Sequence, residues 1–278
     1  MKKLSLLALV LSIVLLTACE GDDPAGGGGT LATITGLEIG ATSAGNTIVL
    51  VWTTYSGTED IDGYEVYFKA EEAGNWVPLG VTTTTGYEHV ATVAGSYSVR
   101  AYEGDNYSTN YATEVSTMPS VVSTQYTIYD NNAPAEYDSG FKFGSTSGET
   151  GSAASTGFVQ DIYAYDNLFP VLGDLNVAFQ SGNYGAFPNG NPTYMYDPEG
   201  TYGYCPEYGT GSWFENYNLY VGDEVVFGCM PFTGGYDIYV KIYIDDIFVE
   251  PISEHGTGVT LHYEYQTLQN VTVFTDDH

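Results

Sequence analysis

Basic residues are almost missing from this sequence. The chain of 278 residues holds six Lys and Arg against 35 Asp and Glu, and its formal net charge is −29. Lys2 and Lys3 lie in an N-terminal leader, so the rest has four basic residues and a net charge of −31. Proteins bind phosphate backbones with Lys and Arg that displace counterions, and a polyanion is repelled by nucleic acid and by anionic lipid surfaces. The composition therefore excludes nucleic acid as a partner.

Sequence signatures of catalysis are missing as well. The chain has no Gly-x-Ser-x-Gly, no His-Glu-x-x-His, no phosphate-binding loop and no dinucleotide fingerprint. Pairs of carboxylates like those of glycosidases do not indicate that activity here, because they occur by chance in so acidic a chain. The acidic runs Asp60 to Gly63 and Asp245 to Asp246 lack the spacing of a calcium loop. The sequence predicts a non-catalytic protein with no catalytic residue, no metal site and no cofactor.

The residues that are abundant favour β-structure. The chain contains 26 Tyr and 34 Gly but only four Met. Tyr, Thr and Val suit half-buried strands, while Gly, Asn and Asp supply turns. We expect an all-β protein with almost no helix after residue 20.

The N-terminus has the pattern of a secretory signal. An apolar run from Leu4 to Leu16 follows the two lysines. Runs of about 7–15 residues are typical of signal peptides and are too short to span a membrane. The end of the run, Leu16-Thr17-Ala18-Cys19, resembles the lipobox of bacterial lipoproteins. That resemblance implies a signal peptide over residues 1–19 and a lipid on Cys19; the alternative is an ordinary signal followed by a chance cysteine.

Residues 20–30 read as a tether between the lipid and the folded part. They include four consecutive glycines, Gly26 to Gly29, which favour a flexible linker. The acidic residues directly after Cys19 resemble the export signal of some surface lipoproteins, although a generic polar linker has the same composition. The expected location is the outer membrane, with the chain held by its lipid and exposed at the cell surface.

Residues 31–119 show short strands with period-two alternation, typical of a sandwich. Three triplets of apolar residues share a strand face: Ile48, Leu50 and Trp52; Tyr64, Val66 and Phe68; Tyr97, Val99 and Ala101. The order of Trp52, Tyr64-x-Val66-x-Phe68 and Tyr97-x-Val99-x-Ala101, followed by Gly104 and Ser108, resembles the fibronectin type III family. The resemblance implies a spacer or interaction module, with Tyr97 as a corner tyrosine whose hydroxyl bonds upstream backbone.

Residues 120–278 form a second, larger antiparallel β domain in this interpretation. The alternation predicts strands in it at Glu224 to Gly228, Tyr236 to Val249 and Gly258 to Thr267. The segments Tyr239 to Ile244 and Thr260 to Thr267 resemble the closing strands of HmuY-like surface lipoproteins, some of which carry haem. We favour haem binding less, because two imidazoles would have to reach the same iron. The spacing of the four histidines does not indicate such a pair: His89, His255, His262 and His278.

Residues 181–217, which we call the excursion, have little periodicity. Irregular segments of this length are often binding loops. The excursion contains an aromatic cluster flanked by acidic residues: Tyr202, Tyr204, Tyr208, Trp213, Phe214 and Tyr217. These rings suit a glycan, a small planar ligand or a protein partner; alternatively, they pack the loop onto its own sheet.

Cys205 and Cys229 are the two cysteines that remain beside Cys19. A pair in an exported protein predicts a disulfide, here one that ties the excursion to a strand; two free buried thiols are the alternative. The sequence as a whole predicts a lipid-anchored, non-catalytic binding or adhesion protein of the cell surface or periplasm. The alternative is a structural component of the cell envelope without a small ligand.

Overall fold

The structure is a computed structural model, and it describes residues 30–70, 74–131, 133–134, 136–166, 177–185, 187, 189–198, 200–220, 223–232, 235–249 and 257–276. Every regular element in these ranges is a β-strand, and all strand pairs in the sheets are antiparallel. No helix long and apolar enough to cross a membrane occurs in them. The prediction of an all-β chain is confirmed.

Eight strands build the first sandwich: β1 (Glu38–Ile39), β2 (Thr47–Val51), β3 (Gly63–Lys69), β4 (Val77–Thr82), β5 (Gly86–Val90), β6 (Ser96–Glu103), β7 (Asn106–Tyr107) and β8 (Val115–Ser116). One sheet has the order β1-β2-β5; the other has the order β4-β3-β6-β7, with β8 also paired to β6. Alternate side chains of β2, β3 and β6 enter the space between the sheets, since successive residues of a strand point to opposite faces. Ile48, Leu50, Val66, Tyr97 and Val99 are fully buried there, as the alternation predicts.

Ten strands build the second sandwich: β9 (Ser120–Tyr129), β10 (Gly140–Lys142), β11 (Glu149–Gly151), β12 (Ile162–Asp166), β13 (Val177–Ser181), β14 (Tyr194–Tyr196), β15 (Asn216–Leu219), β16 (Val225–Phe232), β17 (Tyr236–Val249) and β18 (Thr257–Tyr265). They form two five-stranded sheets with the orders β11-β10-β12-β13-β15 and β14-β16-β17-β18-β9. Side chains from both sheets fill the core between them, among them Phe141, Phe179, Val240, Leu261 and Tyr263.

The sheet β14-β16-β17-β18-β9 is covered on both faces. Val226, Val240 and Ile242 point into the core. Their direct neighbours along β16 and β17 therefore point outward, since side chains alternate between the two faces of a strand. The outward residues Phe227 and Tyr239 are nevertheless buried. We call this side the outer face; part of the excursion and the C-terminal end of the chain cover it.

The chain returns to the first sandwich after β18. Residues 266–276, which we call the C-terminal strap, leave the second sandwich through a turn at Asn270. Val271 and Val273 of the strap belong to the core of the first sandwich. The strands before residue 119 belong to the first sandwich and those after it to the second. The core of the first sandwich nevertheless includes side chains from beyond residue 270.

Two local expectations differ from the structure. The hydroxyl of Tyr97 lies 2.9 Å from Nδ1 of His89 in β5, so its partner is a side chain and not upstream backbone. The reason is that His89 packs between the sheets, with its ring against Phe68 and Tyr97. The excursion also contains regular structure, since β14 lies within it and β15 begins before its end.

Candidate functional site

The structure distributes the six aromatic residues predicted as a binding cluster over four environments. Tyr204 packs on the core of the first sandwich. Tyr208 and Trp213 pack on the outer face of the second sandwich. Phe214 is 47% exposed, and Tyr202 and Tyr217 line a separate cleft. The sequence cluster is therefore not one surface.

The outer-face cluster explains the positions of Tyr208 and Trp213. Its buried members are Cys205, Phe227, Cys229, Tyr239 and Phe274. The backbone N–H of Tyr208 donates to the Tyr239 hydroxyl at 2.9 Å, and Nε1 of Trp213 donates to the Glu207 carbonyl at 3.2 Å. Tyr208 also packs on Tyr194, with ring centroids 4.5 Å apart. For these two residues, the alternative that the rings pack the loop onto its own sheet agrees with the structure.

Cys205 and Cys229 are free thiols in the structure, so the predicted disulfide is not present there. Both are buried in the outer-face cluster, with Cys205 on the excursion and Cys229 on β16. Burial raises the pKa of both thiols well above its usual range, and this disfavours the reactive thiolate. The cysteines do link the excursion to the sheet, but by packing and not by a covalent bond.

Tyr202 and Tyr217 meet several carboxylates in a cleft that we call the acidic cleft. Its lining includes Asp197, Tyr202, Tyr217, Asp223, Glu224 and Val225. The lining comes from chain segments that the sheets bring together. Asp197 directly follows β14, Tyr217 lies in β15, and Asp223 and Glu224 directly precede β16.

Burial and neighbouring carboxylates in the acidic cleft favour the protonated forms of Asp223 and Tyr217. Burial raises the pKa of Asp223, and the nearby Asp197 adds to that effect. Burial also raises the pKa of Tyr217, and so do the charge of Asp197 and a hydrogen bond to it. Tyr217 therefore keeps its proton and holds Asp197 in place. Two hydrogen bonds to Tyr220 fix Asp223, whose Oδ2 accepts the backbone N–H of Tyr220 at 2.8 Å and whose N–H donates to the Tyr220 carbonyl at 2.9 Å.

The size and lining of the acidic cleft limit what it can accept. Its volume is about 120 Å³, whereas pockets for drug-sized ligands hold roughly 300–1,000 Å³. Carboxylate oxygens accept hydrogen bonds from hydroxyl groups, and tyrosine rings offer flat apolar faces. The arrangement suits a single sugar unit at the end of a glycan. A planar tetrapyrrole is much larger than the cleft.

Sequence reasoning found Tyr202 and Tyr217, with acidic residues near them, but did not place Asp223 and Glu224 at the site. Both missed residues stand just outside the excursion, at the start of a segment that reads as a strand. The short spacing from Tyr217 to Asp223 is enough for a strand to end and the chain to turn back, so it could have predicted that these two residues lie close together. Nothing in that spacing shows that Asp197 returns to the same place.

Other groups that bear on ligands lie apart from the acidic cleft. His89 is in the first sandwich, and His262 stands on β18 with Nδ1 2.9 Å from Asp245. Among the residues that the structure describes, no group of three or more His, Cys, Asp or Glu is arranged to hold a metal ion. Cys19, His255 and His278 lie outside the described residues.

Comparisons with known proteins leave the function open. No protein family matches the chain, and no curated protein does. Among solved structures, one titled "Titin kinase and its flanking domains" is similar at a TM-score of 0.27 and 9% sequence identity. The match covers 85% of this chain and 38% of that chain, so this chain spans less than half of the neighbour's length. A likeness at that TM-score carries no argument about function.

Proposed function

We propose that this protein is a lipid-anchored, non-catalytic binding protein of the cell envelope whose second sandwich binds the end of a glycan in the acidic cleft. The observation that carries the proposal is the meeting of Tyr202 and Tyr217 with Asp197, Asp223 and Glu224. Three carboxylates and two tyrosines in a small, mostly polar cleft match the hydroxyl groups of a sugar. Phe214, which is 47% exposed, adds apolar surface shortly before β15.

The order of the parts supports this role. The lipobox ending at Cys19 would attach the chain to the membrane, and residues 20–30 would give it reach. The strand orders β1-β2-β5 and β4-β3-β6-β7 support the fibronectin type III resemblance of the first sandwich. In that role the first sandwich is a spacer that holds the acidic cleft away from the membrane.

Binding is tested with the chain from residue 20 on an array of neutral and acidic glycans. We expect Tyr202→Ala and Glu224→Gln each to weaken binding about five- to thirtyfold, the loss that follows from removing one buried contact of about 1–2 kcal/mol. Tyr220→Ala is the matched tyrosine control, since Tyr220 is not among the lining residues of the cleft. Glu88→Gln removes the same charge from an exposed position on β5 of the first sandwich.

A glycan whose affinity is unchanged in Tyr202→Ala and Glu224→Gln, with the fold intact, would place the binding site elsewhere. Equal losses in the two control variants would point to a general charge or surface effect. The anchor is tested separately by labelling cells with a palmitate analogue. The label should be lost in Cys19→Ala, and its persistence would contradict the lipid attachment.

A further inference from the structure

The C-terminal strap has two faces, and each is buried in a different part of the molecule. Val271 and Val273 are at most 1% exposed and belong to the first core. Phe274 is fully buried in the outer-face cluster of the second sandwich. Alternation along an extended segment accounts for this division, because neighbouring side chains point in opposite directions.

The edge of the strap toward the first sandwich is hydrogen-bonded like a strand. The backbone N–H of Gly45 donates to the Asn270 carbonyl at 2.7 Å, and the N–H of Thr272 donates back to Gly45 at 2.9 Å. Farther along, the N–H of Ala94 donates to the Phe274 carbonyl at 2.7 Å. The first sandwich thus offers the strap both a row of backbone partners and an apolar slot.

The other edge of the strap pairs with the excursion. The N–H of Cys205 donates to the Thr272 carbonyl at 3.1 Å, and the N–H of Phe274 donates to the Gly203 carbonyl at 2.7 Å. Gly203 also meets the first sandwich directly, since a Cβ at this position would clash with the Thr92 carbonyl oxygen. The strap therefore lies between the first sandwich and the segment that leads to Tyr202.

A buried polar group fixes the end of the strap to the outer face. Nζ of Lys241 donates to the Thr275 carbonyl at 2.8 Å. The N–H and the hydroxyl of Thr275 both donate to the carboxylate of Glu264. Lys241 and Glu264 are themselves almost fully buried. Buried charged groups tolerate little displacement, because an unpaired charge in such a place is very unfavourable.

We propose that the C-terminal strap acts as an intramolecular donor strand, which completes the core of the first sandwich and locks it to the excursion. The slot on the first sandwich holds the two valines of Val271-x-Val273, and the next residue, Phe274, packs on the outer face of the second sandwich. In consequence, the first sandwich reaches full stability only when the last residues of the chain are in place. The two sandwiches are then held together through the strap and do not behave as modules on a free linker. This proposal does not depend on the glycan proposal.

Hydrogen exchange of the chain from residue 20, read by mass spectrometry, tests the donor strand. The variant carries Val271→Ala and Val273→Ala, which remove methyl groups from the first core while keeping the backbone. We expect amide exchange in β2 and β6 to become at least about tenfold faster, since local stability sets exchange rates. Exchange in β12 and β13 of the second sandwich should change little. Val259→Ala is the matched control, because Val259 is fully buried in the second core.

The control should reverse the pattern, with faster exchange in β12 and β13 and little change in β2 and β6. Unchanged exchange of β2 and β6 in the double variant would overturn the proposal. Equal acceleration of all four strands in both variants would also overturn it, because the chain would then open as one unit without a special role for the strap. Circular dichroism of each variant shows that the protein remains folded during the measurement.

Discussion

Asn270 holds an unusual backbone conformation at the start of the C-terminal strap. With a φ of 60° it is the one non-glycine residue in the left-handed region within the described part of the chain. Its N–H donates to the Asp237 carbonyl at 2.9 Å, and its Oδ1 accepts the Asp237 N–H at 2.8 Å. Asparagine tolerates this region better than other residues with a Cβ. The residue therefore allows the chain to leave the second sandwich and turn toward the first.

Two substitutions at Asn270 separate backbone strain from the side-chain hydrogen bond. Both Asn270→Ala and Asn270→Gly lose the bond to Asp237, but only alanine is disfavoured at positive φ. We expect the alanine variant to be less stable than the glycine variant by about 1 kcal/mol. Urea denaturation of the two variants beside the parent measures the difference. Equal stability of the two variants would show that the turn relaxes and that the strain is unimportant.

On the scale of elements, the outer side of the sheet β4-β3-β6-β7 carries a ladder of rings and cations. Nζ of Lys69 lies 4.9 Å from the centroid of Trp76, and Trp76 stacks on Tyr111 with centroids 5.6 Å apart. The Arg100 guanidinium lies 5.0 Å from the rings of both Tyr107 and Tyr111. The two cations of the first sandwich are therefore engaged by its own aromatic residues, which ties the strands of this sheet together.

Arg100 tests the strength of the ladder. Arg100→Lys keeps the charge but loses the planar group that lies against two rings, and it also loses the bond from Nε to the Ser108 carbonyl at 2.8 Å. We expect a loss of about 1 kcal/mol in the free energy of unfolding. Lys142→Arg, at an exposed position on β10, is the reverse exchange and should stay within about 0.5 kcal/mol of the parent. A similarly small effect at Arg100 would mean that the ladder is only a surface contact.

On the scale of the whole molecule, we expect stability to depend on pH through the acidic residues. Burial raises the pKa of Asp161, Asp223 and Asp237 above the usual value for an aspartate. A group with a raised pKa binds its proton more tightly in the folded state than in the unfolded state. Its contribution to stability is present below the ordinary aspartate pKa and is lost as pH rises through the raised value. Self-repulsion at a net charge of −29 acts in the same direction, because it too grows as carboxylates ionise.

We therefore expect the chain from residue 20 to unfold at a higher temperature at about pH 4, near the ordinary aspartate pKa, than at about pH 8, by about 3 °C or more. Calorimetry at both pH values measures the shift. Asp223→Asn should reduce the difference, because it removes one of the shifted carboxylates. Glu88→Gln removes an exposed charge and should leave most of the difference in place. A protein that is more stable at about pH 8 would contradict this account.

The sequence by itself determined the strands and their faces. The shared face of Ile48, Leu50 and Trp52 sufficed to predict a strand at β2, and the bounds of β17 agree with the prediction. Period-two alternation is a local property, since the polarity of each residue indicates whether its own face of the strand is buried. For that reason the all-β class and most of the strands of the first sandwich were accessible without coordinates.

The tertiary structure alone decided which strands and loops share a core or a cleft. Val271 and Val273 look like the end of the second domain, yet they fill the first core. Tyr202 and Tyr217 meet Asp223 at one cleft, while Trp213 between them in sequence packs elsewhere. The physical reason is that burial of apolar surface is favourable whatever the distance along the sequence between the segments that meet. A short apolar segment joins whichever core the returning chain can reach, and only the path of the whole chain determines that.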